Sequence, residues 1–234
     1  MSGLLSNALA EQNGEQNVEL VNINEVKCTN FNSGPQVLGV RGLSACSVVA
    51  IVSPYAAIVA HIGPNVFGSF DPLSFIHLAQ NKMDDVVQIY NNNWNFFLEN
   101  VKTYVVCAML HGNVQTAPEQ VMIILESLKA LGFSNAHLYY ERAAETDINI
   151  TTHLGTFFID GRGPEPKAYV EDWDVTNAPV KSPFWQSVVN NAASQYQWTL
   201  DGMILTEQSN PPVHEPVWMG HIHGWMQWDG YQWT

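Results

Sequence analysis

Positive charge is scarce in this 234-residue sequence. Nine Lys and Arg stand against 22 Asp and Glu, for a formal net charge of −13. No basic run occurs anywhere, so the chain lacks the clustered Lys and Arg that displace counterions from a phosphate backbone. Nucleic acid is therefore not an expected partner, and neither is an anionic membrane surface. Charge of either sign is sparse at 13% of residues, whereas 46% are hydrophobic. That balance argues against extended disorder and supplies a sizeable core. No apolar run reaches about 18 residues, so no membrane span is expected. Cysteine is limited to Cys28, Cys46 and Cys107, an odd number at spacings that match no zinc pattern. The opening MSGLLSNALAEQNGEQ has neither the basic start nor the apolar stretch of a signal peptide. The expectation is a cytoplasmic protein with reduced thiols and no cofactor.

What is present divides into three parts. Residues 1–18 are polar and read as a loose arm, 19–174 as an α/β core, and 175–234 as a Trp-rich β extension packed on that core. In the core, ELVNINEVK (19–27) alternates as a strand does. SVVAIVS (47–53) and AAIVAHI (56–62) are short, apolar and β-branched, and read as a hairpin around Pro54-Tyr55. Asp71-Pro72 opens a helix that runs to about 98, with Asn91-Asn92-Asn93 as a possible break. TYVVCAMLH (103–111) reads as a strand covered on both faces. Pro118 and Gly132 bracket a second helix. Strands then follow at 136–142, 152–161 and 167–173. Seven of the eight tryptophans lie from Trp173 onward. The tetrapeptide YQWT occurs at 196–199 and 231–234, each time near an Asp-Gly hairpin signal, Asp201-Gly202 or Asp229-Gly230. The fold class is α+β: sandwich-like mixed sheets with flanking helices, plus the β extension.

The chemistry-bearing stretch is GLSACSVVAIVSPYAAIVAHIGP (42–64). Small residues before Cys46 let the backbone turn sharply and direct its N–H groups at one spot. Ser44, Ala45 and Ser47 are thus the candidate oxyanion-turn residues, through the N–H groups at 45–47. A hairpin centred on Pro54-Tyr55 brings Cys46 and His61 close to directly opposite, where Cβ atoms are roughly 4.5–5.5 Å apart. A thiol beside an imidazole is the minimum for a cysteine nucleophile and its base. The plainer alternative is a small core residue and a hydrogen-bonded structural histidine.

These residues also resemble a known family. Leu43-Ser44-Ala45-Cys46 is similar to the Leu-Ser-Gly-Cys motif of the cytotoxic necrotizing factor toxins. The Cys-bearing strand, followed by one ending Ala60-His61-Ile62-Gly63-Pro64, resembles the chemotaxis receptor deamidases (CheD), as does the order of elements over about 20–172. The resemblance implies a deamidase fold and a cysteine amidohydrolase. Its reaction would be glutamine deamidation in a protein or hydrolysis of a small-molecule amide, with Cys46 and His61 catalytic; an amine replacing water would give transamidation. An inactive family member acting as a binding module through its Trp-rich tail is the alternative. The Thr that CheD enzymes place before the cysteine to orient the histidine is absent from Leu38-Gly39-Val40-Arg41. The toxins use a backbone carbonyl for this, so the third member is open, with Thr29 and Asn30 as candidates.

Other residues carry weaker signals. Cys107 and His111 share one face of a buried strand and read as core, and Cys28 reads as structural. His214, Glu215, His221 and His223 lie close in sequence. His221 and His223, at i and i+2, would share a strand face as a possible metal pair. The bland reading there is a polar hairpin.

Overall fold

A computed structural model describes residues 3–10, 17–64, 74–110, 114–115, 117–133, 135–141, 155–177, 196–199, 202–205, 216–219 and 224–227. In chain order the elements are α1 (Leu4–Ala10), β1 (Val18–Leu20), β2 (Val26–Asn30), β3 (Val37–Val40), β4 (Ser47–Val52) and β5 (Ala56–Ile62). Next come α2 (Ser74–Asn92), β6 (Lys102–Leu110), β7 (Val114–Gln115), α3 (Pro118–Ala130) and β8 (Asn135–Glu141). The remaining strands are β9 (Phe157–Asp160), β10 (Lys167–Val170), β11 (Trp173–Asp174), β12 (Tyr196–Thr199), β13 (Gly202–Leu205), β14 (Pro216–Met219) and β15 (Gly224–Gln227). The protein is mixed α+β, with two main sheets and three α-helices among the described residues. No helix there is long and apolar enough to cross a membrane.

The first sheet runs β2-β5-β4-β6-β7, with β8 parallel to β6; the second runs β1-β3-β9-β10-β11. Their inner faces meet in one core. Val48, Ala50, Val52, Ala57, Val59 and Val106 from the first sheet pack with Leu38, Val40, Phe157, Ile159 and Val170 from the second. The outer face of the first sheet takes α2 and α3: Val49, Ile51, Ile58, Ile62 and Val105 meet Met83, Val86, Val121, Ile124 and Leu128. Every residue of β4 and β5 is therefore buried. A strand covered on both faces cannot alternate, which is why these two read as unbroken apolar runs.

Three expectations need correction. Residues 1–18 are not a loose arm throughout, because Leu4–Ala10 form α1, whose Leu5 and Ala8 are buried on the outer face of the second sheet. The apolar spacing of LLSNALA gives that helix one sticky face, and Leu5 fills the notch above Gly39. The single strand over 19–27 is two strands, β1 and β2, in different sheets. Between them Asn24 adopts a left-handed conformation (φ 63°), which Asn tolerates better than most residues. The helix over 73–98 ends at Asn92, and a 3₁₀ turn over Trp94–Phe96 follows the Asn cluster.

In the tail, β12 pairs with β13 and β14 with β15, both antiparallel. Aromatic-bearing hairpins are therefore present, and the first pairs Thr199 with Gly202, while Asp201 lies outside the described residues. Asp229-Gly230 and the second YQWT lie outside the described residues.

Two adjacent left-handed residues stand at one turn of the second sheet. Glu171 and Asp172 form the two-residue connection between β10 and β11, with φ of 48° and 69°. Left-handed non-glycine residues cost about 1–3 kcal/mol each. Gly155 (φ 61°) lies nearby, and a Cβ on it would stand 2.5 Å from the Leu43 carbonyl oxygen. Gly42 is also left-handed (φ 74°) but has open space around it. Gly155→Ala should therefore cost about 3 kcal/mol or more, and Gly42→Ala only about 1–2 kcal/mol, in denaturant unfolding. Equal costs at the two positions would contradict this packing.

Candidate functional site

The register fixes the geometry of the Cys–His pair. Ser47 pairs with Ile62 and Val48 with His61, so continuing the ladder sets Cys46 across from Gly63. Cys46 and His61 are thus neighbours on the same sheet face, as the hairpin reading expects, in a diagonal position. That face is the inner one, lined by Val48 and Val59. Diagonal neighbours have Cα atoms about 7–8 Å apart, with Cβ somewhat closer. Both residues are buried, at 4% exposure each.

Cys46 closes the turn that starts at Gly42. Leu43 is fully buried and donates its N–H to the Gly155 carbonyl at 2.9 Å, while Ser44 and Ala45 are half-buried. Burial pushes the Cys46 thiol above 9.0, and backbone hydrogen bonds from Ala45 and Ser44 pull it part of the way back. The turn thus directs peptide groups at the sulfur, one residue earlier than the 45–47 expected. Ser47 is buried too. By strand alternation its side chain points to the helix layer, away from the sulfur.

His61 is held from behind. Its Nδ1 lies 3.3 Å from the Val21 carbonyl oxygen. A carbonyl only accepts, so this contact assigns the ring proton to Nδ1 and leaves the lone pair on Nε2. Among the described residues, that buried Nε2 has no hydrogen-bond partner. Burial lowers the His61 pKa from 6.5, against the Val21 hydrogen bond and the Glu25 charge, which raise it. The imidazole is therefore neutral at neutral pH. Both shifts favour the uncharged forms, a thiol at Cys46 and a neutral imidazole at His61.

The strand break that sequence reasoning missed is what delivers Val21. Val21 N–H donates to the Gly39 carbonyl (2.8 Å), Asn24 N–H to the His61 carbonyl (2.7 Å), and His61 N–H to the Glu25 carbonyl (3.0 Å). Asn24 Oδ1 accepts the Gly63 N–H at 2.9 Å, and the fully buried Gln120 of α3 donates Nε2 to the Gly63 carbonyl at 2.8 Å. The end of β5 is thus clamped on both sides. Asn22 and Asn24, both turn-formers, were the available signal; a carbonyl such as Val21's leaves none in the sequence.

The remaining candidates stand apart. Thr29 Oγ1 donates to the Pro35 carbonyl (2.7 Å), and Asn30 Oδ1 accepts the Asn32 N–H (2.9 Å). Thr29 pairs with Ala57, four residues from His61, or about 13 Å along the strand, so neither residue is the third member. Cys107 and Cys28 face the helix layer, and burial with the Glu19 charge pushes Cys28 up to about 11. His111, His214, Glu215, His221 and His223 lie outside the described residues. Among the described residues no cluster of three or more His, Cys, Asp or Glu could hold a metal. No family model matches the chain, and no curated protein matches it.

The His61 shift has a signed consequence. Its folded pKa lies below 6.5, so below that pH the unfolded chain takes up the proton first and stability falls. The loss grows until the pH reaches the depressed folded value. Comparing melting temperatures at about pH 7.5 and about pH 5, the drop should be smaller in His61→Gln than in the wild type. An unchanged drop would mean that His61 is not buried neutral.

Proposed function

We propose that the chain is a cysteine-dependent amidohydrolase of the type that the CheD and cytotoxic necrotizing factor resemblance implies. Its substrate class is a carboxamide, a protein glutamine or a small-molecule amide. One observation carries the reading: on the face it shares with Cys46, His61 is tied at Nδ1 to a backbone carbonyl and keeps a buried lone pair at Nε2 that has no hydrogen-bond partner among the described residues. A carbonyl in this place answers the missing Thr in the way the toxins do. The two-sheet core with a Cys strand followed by a His strand is consistent with the same reading.

In the reaction, His61 Nε2 takes the Cys46 proton as Sγ bonds to the carboxamide carbon. The carbonyl π pair moves to oxygen, and turn N–H groups at 44–47 hold the oxyanion. The tetrahedral intermediate collapses, the C–N bond breaks, and His61 returns the proton to the departing ammonia. Water then attacks the thioester with His61 as base, releasing the acid and restoring the thiol. An amine in place of water gives transamidation. The depressed imidazole suits this, since a neutral base is present without deprotonation.

The burial of Cys46 and its raised thiol favour a second reading: a deamidase-like scaffold that binds a partner without turnover. Ammonia release from a pool of glutamine-containing peptides separates the two. The enzyme reading expects Cys46→Ala to lose at least about 10³-fold of the rate. It also expects wild-type activity to be level between pH 6.5 and 9.0, because the His61 imidazole is shifted below that interval and the Cys46 thiol above it. Release that is absent, or that survives Cys46→Ala, leaves the binding reading.

A further inference from the structure

At the back of the Cys46 turn, sequence preference and backbone geometry conflict. Glu171 and Asp172 fill both central positions of the β10–β11 connection with left-handed φ values. A turn of that kind ordinarily takes Asn-Gly or Asp-Gly, and glutamate is not among the residues that favour it. Glutamate is also ordinarily exposed, yet Glu171 is 2% exposed. Its burial has a visible use. Glu171 N–H donates to the Thr156 carbonyl at 2.9 Å, which brings the side chain alongside Gly155. Oε1 then accepts the Gly155 N–H at 3.0 Å. The Gly155 carbonyl in turn accepts the Leu43 N–H at 2.9 Å. The two backbones lie so close that residue 155 has no room for a Cβ. Leu43 is the residue before the peptide groups that hydrogen-bond the Cys46 sulfur.

Local rules are commonly broken where function requires it. We propose that Glu171 is the positioning residue of the nucleophile turn: its buried carboxylate seats Gly155 against Leu43 and so holds the Ser44 and Ala45 peptides around Cys46. The assignment rests on Cys46 being the nucleophile of the proposed reaction. It explains why a glutamate sits where a shorter residue would suit the turn better. Asp or Asn at 171 is one methylene short of the Gly155 amide, whereas Gln keeps both the reach and an acceptor oxygen.

The test is peptide-mapped labelling with iodoacetamide, without substrate, beside a melting curve. Glu171→Asn gains turn preference and loses the hydrogen bond to Gly155, effects of similar size, so it should melt close to the wild type. Its Cys46 should nevertheless label at least about tenfold faster, with Cys107 on the opposite sheet face unchanged. Glu171→Gln should label Cys46 within about twofold of the wild type. Stability and turn closure then move independently, as a purely structural role would not allow. Wild-type labelling of Cys46 in Glu171→Asn would overturn the proposal. So would a lower melting temperature with Cys46 and Cys107 accelerating together, or a Glu171→Gln variant that behaves like Glu171→Asn. Because labelling needs no turnover, a failure of the amidohydrolase reading appears in the ammonia assay alone. A failure of the Glu171 role appears in the labelling alone.

Discussion

Everything in this fold depends on the pairing of β4 with β5, a hairpin buried on both faces. One face meets the second sheet and the other meets α2 and α3. Burying an aliphatic side chain stabilises by about 1.5–3 kcal/mol, and nearly every residue of the hairpin contributes. A one-residue slip would move each side chain to the opposite layer, so the register is specified strongly. That register, in turn, puts Cys46 and His61 on one face and leaves the remaining thiols on the other.

The same burial decides the electrostatics. Desolvation penalises charge, so it raises a thiol and lowers an imidazole. Both shifts favour the neutral forms, and a buried ion pair is not formed in advance. In the proposed reaction the proton therefore leaves sulfur as the new bond forms. The Val21 carbonyl contributes direction instead of charge, because it selects the tautomer with its lone pair on Nε2. The Ser44 and Ala45 peptides act on the other partner, where they offset part of the thiol's rise.

The hairpin was legible in the sequence because two short β-branched runs around Pro54-Tyr55 have few other solutions. The helices were legible from Pro118, Gly132 and the Asn cluster after Tyr90. The residues 21–25 were not. Their alternation continues through ELVNINEVK, and the break rests on a left-handed Asn24 and on contacts to β5 that are distant in sequence. Val21 acts through its backbone, so its identity carries no message. The N-terminal helix was hidden by its shortness: only Leu5 and Ala8 reach the sheet. The closeness of Cys46 and His61 was legible too: His61 pairs with Val48, and one further step of that register sets Cys46 across from Gly63. Glu171 was invisible for a different reason, because nothing in AYVEDWD announces a turn that glutamate ordinarily avoids.

The division of the three cysteines between the faces of the first sheet carries a redox consequence. A disulfide needs Cβ atoms about 3.5–4.5 Å apart, and the sheet itself stands between Cys46 and the side of Cys28 and Cys107. Cys46 thus has no resolving thiol among them. Once oxidised to a sulfenic acid, it can be restored only by a thiol brought from outside the chain, and without one it proceeds to the irreversible acids. Its burial and its raised thiol, which keep the reactive thiolate scarce, are then its protection.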